Sequence, residues 1–129
     1  MVKYQEPEWV VRICRPAFQD FQRLLPRYYA RSELNRQLLK LRWWNPKEPF
    51  VIDLAWNQVP DTDLYELVIE KGFEFATGLR IVFFEHSPRD AVSPSIWILG
   101  GIKICEEFDE INKMIYVGRS LIVRERATE

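Results

Sequence analysis

The chain has 129 residues, 47% of them hydrophobic, with a net charge of −1 and two cysteines. That is enough apolar side chain for a single domain over residues 1–129 with a core of its own, held together without metal or disulfide. A disulfide-stapled mini-domain is excluded, because Cys14 and Cys105 have no metal-ligand spacing and read as reduced thiols, and so is a bilayer-spanning helix, because the longest apolar run, Ile96 to Ile102, falls far short of ~20 residues.

Residues 1–15 carry Lys3, Glu6, Glu8, Arg12 and Arg15, so they lack the apolar stretch of a secretory leader, and the cytoplasm is the expected compartment. Trp9-Val10-Val11-Arg12-Ile13-Cys14 is rich in β-branched and aromatic residues and predicts a short first strand ending at Pro16. Pro16 suits the first turn of a helix, where its missing N–H has no intrahelical acceptor to serve. Phe18, Phe21, Leu25 and Tyr28 then recur at spacings of three, four and three, which predicts an apolar stripe on a helix from Pro16 towards Tyr29. Pro26 argues for an earlier stop, near Leu25, because an interior proline removes a backbone hydrogen bond. Ser32 is the expected N-cap of a second helix to Trp44, with Leu34, Leu38 and Leu41 inward, Arg36, Lys40 and Trp43 outward, and Asn45-Pro46 as the stop. Two helices with so short a joint predict an antiparallel hairpin.

Residues 45–63 hold Pro46, Pro49, Pro60, Asp61 and Asp63, and the stretch from Phe50 to Trp56 reads as either a short edge strand or a packed loop. Leu64 to Glu70 and Leu79 to Glu85 predict a β-hairpin whose connector contains Gly72 and Gly78. Leu79, Ile81 and Phe83 alternate with Arg80, Val82 and Phe84, so this strand is apolar on both sides and is expected at the centre of a sheet; Ser95 to Ile104 repeats the pattern. His86 to Pro94, between them, reads as a polar loop. The last helix opens with Glu106, Glu107, Asp109 and Glu110 at its positive end and carries Arg119, Arg124 and Arg126 towards the other, with Phe108, Ile111, Ile115, Gly118 and Ile122 as the expected buried stripe. The expected fold is α+β: an N-terminal strand and helical hairpin packed on a small curled antiparallel sheet, with a C-terminal helix.

The small net charge hides a polarity. Between Trp9 and Lys47 nine basic residues stand against two acidic ones, whereas from Glu48 onward fifteen acidic residues stand against eight basic ones. A chain polarised this way can present a cationic face to a polyanion although its sequence pI is about 5.9. Arginines that merely solvate two exposed helix faces give the same count.

The strand words Leu64-Tyr65-Glu66-Leu67, Leu79-Arg80-Ile81-Val82-Phe83-Phe84 and Ile96-Trp97-Ile98-Leu99-Gly100-Gly101, ahead of a helix bearing Glu110-Ile111, resemble the RelE/ParE toxin superfamily, most of all its HigB-type and phage-derived branch. The resemblance runs from roughly Trp9 to Ala127 and includes a helix pair followed by Asn-Pro. It implies the toxin of a toxin–antitoxin pair: an mRNA endoribonuclease that needs no cofactor or metal, with an antitoxin protein as partner and mRNA, free or on the ribosome, as substrate. Such a toxin uses the 2′-hydroxyl of the RNA itself as nucleophile, which requires a base for that hydroxyl, an acid for the leaving 5′-oxygen and cations for the phosphorane charge.

The resemblance places Arg80 at the strand arginine near the scissile phosphate and Lys103 near the basic cluster after the fourth strand. His86, the only histidine, is the remaining candidate for proton transfer, and Arg36, Lys40, Arg42 and Lys47 are the expected RNA-binding set. Each has an ordinary use as well: Arg80 as the partner of Glu66 or Glu70, Lys103 solvated at a strand end, His86 on a surface loop. Where related toxins tend to carry lysines and threonines this chain has Cys105-Glu106-Glu107-Phe108-Asp109-Glu110, whose carboxylates repel an RNA backbone. Two further readings therefore stand beside the endoribonuclease. One is a catalytically inactive RelE/ParE-fold protein that binds a protein partner, as the gyrase-directed branch does. The other is an α+β domain that binds single-stranded nucleic acid through Trp43, Trp44, Arg36, Lys40 and Arg42.

Overall fold

The computed structural model describes residues 9–48, 52–70, 78–87, 94–104 and 108–127. In chain order the elements are β1 (Val10–Ile13), α1 (Arg15–Leu24), α2 (Tyr28–Leu38), a 3-10 helix (Leu39–Trp43), β2 (Ala55–Gln58), β3 (Tyr65–Ile69), β4 (Leu79–His86), β5 (Ser95–Lys103) and α3 (Glu110–Ala127). The strands form one sheet in the order β1-β5-β4-β3-β2. β2 to β5 make an antiparallel meander, and β1 joins β5 in parallel. The class is α+β with a C-terminal helix on the sheet, as expected, and the parallel edge makes the sheet mixed. β2 shows that residues 45–63 contain an edge strand. The hairpin connector 71–77, most of the loop after His86, and Cys105 to Glu107 lie outside the described residues. No described helix is long and apolar enough to cross a membrane.

β4 is central, as its two-sided apolarity predicts. Leu79, Ile81, Val82, Phe83 and Phe84 are all buried, between β3 on one side and β5 on the other. Residues paired across neighbouring strands share a face, which sorts the sheet into two sides. The side under α3 carries Arg12, Trp97, Phe84, Val82, Gly100 and Arg80. The opposite side carries Tyr65, Leu67, Ile81, Phe83 and Ile98 and is covered at Trp44, whose ring meets Trp56, Tyr65 and Phe83 at centroid distances of 5.4, 4.7 and 5.1 Å.

β1 pairs only with Ser95 to Ile98, so the second half of β5 has no strand on its outer edge. Unpaired edge groups are costly when buried and invite other strands when exposed. Here α1 and α3 close the edge. Gly101 N donates to Asp20 Oδ2 at 3.4 Å, and the Leu99 carbonyl accepts from Arg119 Nη1 at 3.0 Å and from Cys14 Sγ at 3.5 Å. Arg119 and Asp20 also pair directly at 2.6 Å, over Gly100. A β-bulge creates the opening for them: Val82 faces Gly100 but Phe83 faces Ile98, which leaves Leu99 as the extra residue.

Several expectations are corrected. α1 ends at Leu24, in keeping with the expected stop near Leu25 rather than a run to Tyr29, and the carbonyls of Leu25 and Pro26, just past its end, accept from Arg31 Nη1 at 2.8 and 2.9 Å. Phe18 and Tyr28 are exposed, so the buried stripe of α1 is Ala17, Asp20 and Phe21. α2 starts at Tyr28, with Arg27 rather than Ser32 in the cap position: Pro26 forces the residue before it out of helical geometry, and the chain restarts at once. The last turn of the expected second helix is 3-10, α1 packs chiefly on β5 rather than forming a hairpin with α2, and of the adjacent tryptophans Trp44 is the buried one. On α3, Ile111, Ile115 and Ile122 face solvent, while Tyr116, Ser120 and Val123 are buried.

Candidate nucleic-acid interface

Arg80, Lys103 and His86 do not converge. Arg80 and Ile102 face each other across β4 and β5, as do Leu79 and Lys103, so Arg80 and Lys103 point to opposite sides of the sheet. His86 shares a side with Arg80 but lies six residues along β4, about 20 Å away at the ~3.3 Å rise of a strand. Arg80 Nη1 holds Glu66 Oε1 at 3.0 Å, and its Nε donates to the Ile104 carbonyl at 3.4 Å. Its first employment is thus an ion pair with a buried carboxylate. Arg80→Ala is expected to cost about 1–3 kcal/mol in urea denaturation, because Glu66 loses its partner while remaining buried, and Glu66→Gln in the same chain should recover part of that loss. A fully stable Arg80→Ala protein would refute the structural role.

His86 packs against the Phe84 ring, and burial first, then the Arg124 charge, hold its pKa below the ordinary histidine value. The folded chain therefore binds its proton less readily than the unfolded chain does. Stability should fall as pH drops through the ordinary histidine range and level off below the folded pKa. Comparing urea midpoints at pH 7.5 and 5.5 tests this, and His86→Gln should remove the histidine share of the slope.

The expected RNA-binding residues sit on α2, the 3-10 helix and the turn after it, and half of them are already engaged. Arg36 pairs with Glu33 at 2.8 Å and Lys40 with Asp53 at 2.9 Å, whereas Arg42 stacks on Trp43 at 5.4 Å and Lys47 is exposed. The Lys40 ammonium holds the Asp53 carboxyl below its usual range. This basic segment is thus partly neutralised by its own neighbours.

The more distinctive arrangement lies on the α3 side of the sheet. The parallel register sets Arg12 beside Trp97, with its guanidinium 5.9 Å above the indole ring. The chain then turns at Cys14 into α1, and α3 passes opposite. Between them is a cleft of about 320 Å³ lined by Ile13, Cys14, Arg15, Trp97, Arg119 and Arg126 together with Pro16, Ile122 and Val123. Its walls are mostly apolar, its rim is cationic, and no carboxylate lines it among the described residues. Asp20 stands behind Arg119 and fixes that guanidinium, while Arg12, Arg15 and Arg126 are exposed and outside any ion pair among the described residues. The N-terminus of α1 also opens here, with Cys14 in the cap position and no side chain capping it. Burial pushes the Cys14 thiol up, so it stays protonated at neutral pH and serves as a packed donor to Leu99 rather than a nucleophile.

A half-exposed indole ringed by guanidiniums suits a planar base joined to a phosphate: the ring offers a stacking surface and the arginines bind the anion bidentately. Sequence reading missed this cleft. Arg12 and Arg15 flank the end of β1, Trp97 lies more than eighty residues later, and only the parallel β1–β5 pairing brings them together. No family model matches the chain, no curated protein matches it, and neither does any solved structure.

Proposed function

We propose that this protein binds a single strand of RNA in the Trp97 cleft, as a toxin-like protein of the kind the RelE/HigB resemblance implies. The observation that carries the reading is the cleft itself: an aromatic floor, three lining arginines with Arg12 over the indole beside them, and no lining carboxylate among the described residues. The cleft chemistry supports a base and its phosphate, and the strand words supply the preference for RNA. Binding is better supported than scission, because Arg80, Lys103 and His86 are dispersed and Arg80 is paired with Glu66.

Tryptophan fluorescence titration with a short single-stranded RNA tests the binding. Trp97→Ala is expected to weaken it by about 1–3 kcal/mol, the usual worth of one stacked base. Replacing Arg12, Arg15 and Arg126 together by glutamine should flatten the dependence of log Kd on log salt by about 2, at ~0.7 per phosphate contact on a single strand. The same replacement at Arg36, Lys40 and Arg42 should leave that slope in place. The reverse outcome would move the binding surface to the 3-10 helix. RNA that stays full-length with wild-type protein and ribosomes present would remove the endoribonuclease and keep the binder, whereas cleavage abolished by Arg80→Ala at equal abundance of folded protein would restore it.

A further inference from the structure

The face of α3 turned away from the sheet carries Ile111, Met114, Ile115 and Leu121, with Ile122 at its border with the Trp97 cleft, and all five are 46–73% exposed. They lie at the three- and four-residue spacing of one helical stripe, and Gly118 sits at its centre. Together they leave on the order of 600 Å² of apolar surface, the upper end of what a soluble monomer usually exposes. A Cβ added at Gly118 would meet nothing within 4 Å, so the protomer itself has no need of glycine there. Glycine weakens a helix interior, and what it offers in exchange is close approach of another backbone.

We propose that this stripe is the two-fold interface of a homodimer, in which α3 packs antiparallel on α3 of a second copy and the helices cross at Gly118. Charge selects that occupant. The helix opens on Glu110, with Asp109 just before it, and its last turn carries Arg124 and Arg126 about Glu125, so an antiparallel copy lays the more acidic end against the more basic end twice and opposes the two helix dipoles. Arg124 is shared with Asp63, while Glu110 has no ion-pair partner among the described residues and is left for the basic end of a second copy. The two-fold uses every contact twice, setting Met114 beside Ile122 and Ile115 beside Leu121 of the second copy. Two such stripes bury on the order of 1,000 Å², the size at which specific interfaces begin.

Light scattering over a concentration series, joined to thermal melts, tests the proposal. The wild type is expected to be dimeric at micromolar concentrations and to weaken as salt rises, since the charged helix ends are exposed. Leu121→Glu and Gly118→Leu should each weaken the dimer by about tenfold or more. Gly118→Leu is the decisive variant: its Cβ enters open space in the protomer, so at concentrations low enough for the wild type to be monomeric the variant should melt no lower than wild type, while at micromolar concentrations it lacks the dimer and the stabilisation that dimerisation adds. A wild type that stays monomeric at high micromolar concentration overturns the proposal, as does a dimer that survives Gly118→Leu. A dimer tightened by salt overturns the antiparallel arrangement.

Discussion

Asp20→Ala is expected to destabilise the protein by about 3–5 kcal/mol in urea denaturation, the usual consequence of removing one partner of a buried ion pair. The Asp20 side chain is 11% exposed and that of Arg119 22%, so water screens the pair only weakly. Without the carboxylate, the Arg119 guanidinium is left beside the apolar cleft and the Gly101 N–H loses its acceptor. The pair can be attacked from the other side at Gly100. A Cβ there would fall 2.5 Å from Asp20 Oδ2 and 2.7 Å from Tyr116 Cε1, and would collide with Arg119 Nη1, so Gly100→Ala should cost about 1–3 kcal/mol through overpacking. The two substitutions share one cluster, so their effects should not add. An Asp20→Ala protein within 1 kcal/mol of wild type would show that the open edge of β5 is closed by other means.

Trp44→Ala should be comparably severe, at about 3–5 kcal/mol, because it empties the centre of the aromatic cluster on the opposite side of the sheet. Trp44 is 0% exposed, and its ring meets Trp9, Trp56, Tyr65 and Phe83. Its indole Nε1 is buried without an acceptor among the described residues. Trp44→Phe therefore removes volume but also removes an unsatisfied donor, and it should cost clearly less than Trp44→Ala. Trp43→Ala, at the half-buried neighbour, should cost less again. Equal losses at Trp43 and Trp44 would contradict the inward placement of Trp44 alone.

Local rules made the element order legible. Strand alternation, the proline at the start of α1 and the stop at Pro26 depend on neighbours within one or two turns, and those neighbours are written consecutively in the chain. The centrality of β4 was legible for the same reason, since apolar residues on both of its sides need two covering layers. The ion pair of Arg80 with Glu66 was one of the two partners its strand position allowed, and geometry chose between them.

What the sequence alone did not determine is which face of α3 turns inward. Its most apolar stripe, Ile111, Ile115 and Ile122, faces solvent, while Tyr116, Arg119, Ser120 and Val123 face the protein. The surface they meet decided this: a bulged strand with a bare glycine and a carboxylate waiting ninety-nine residues earlier, which accept a guanidinium and a ring but offer an isoleucine no hydrogen bond. The Trp97 cleft has the same origin. Charge and aromatic residues can be counted along the chain, but whether Arg12 stands over Trp97 depends on β1 lying parallel to β5, a long-range pairing whose energy comes from the assembled sheet and leaves no local pattern in either strand.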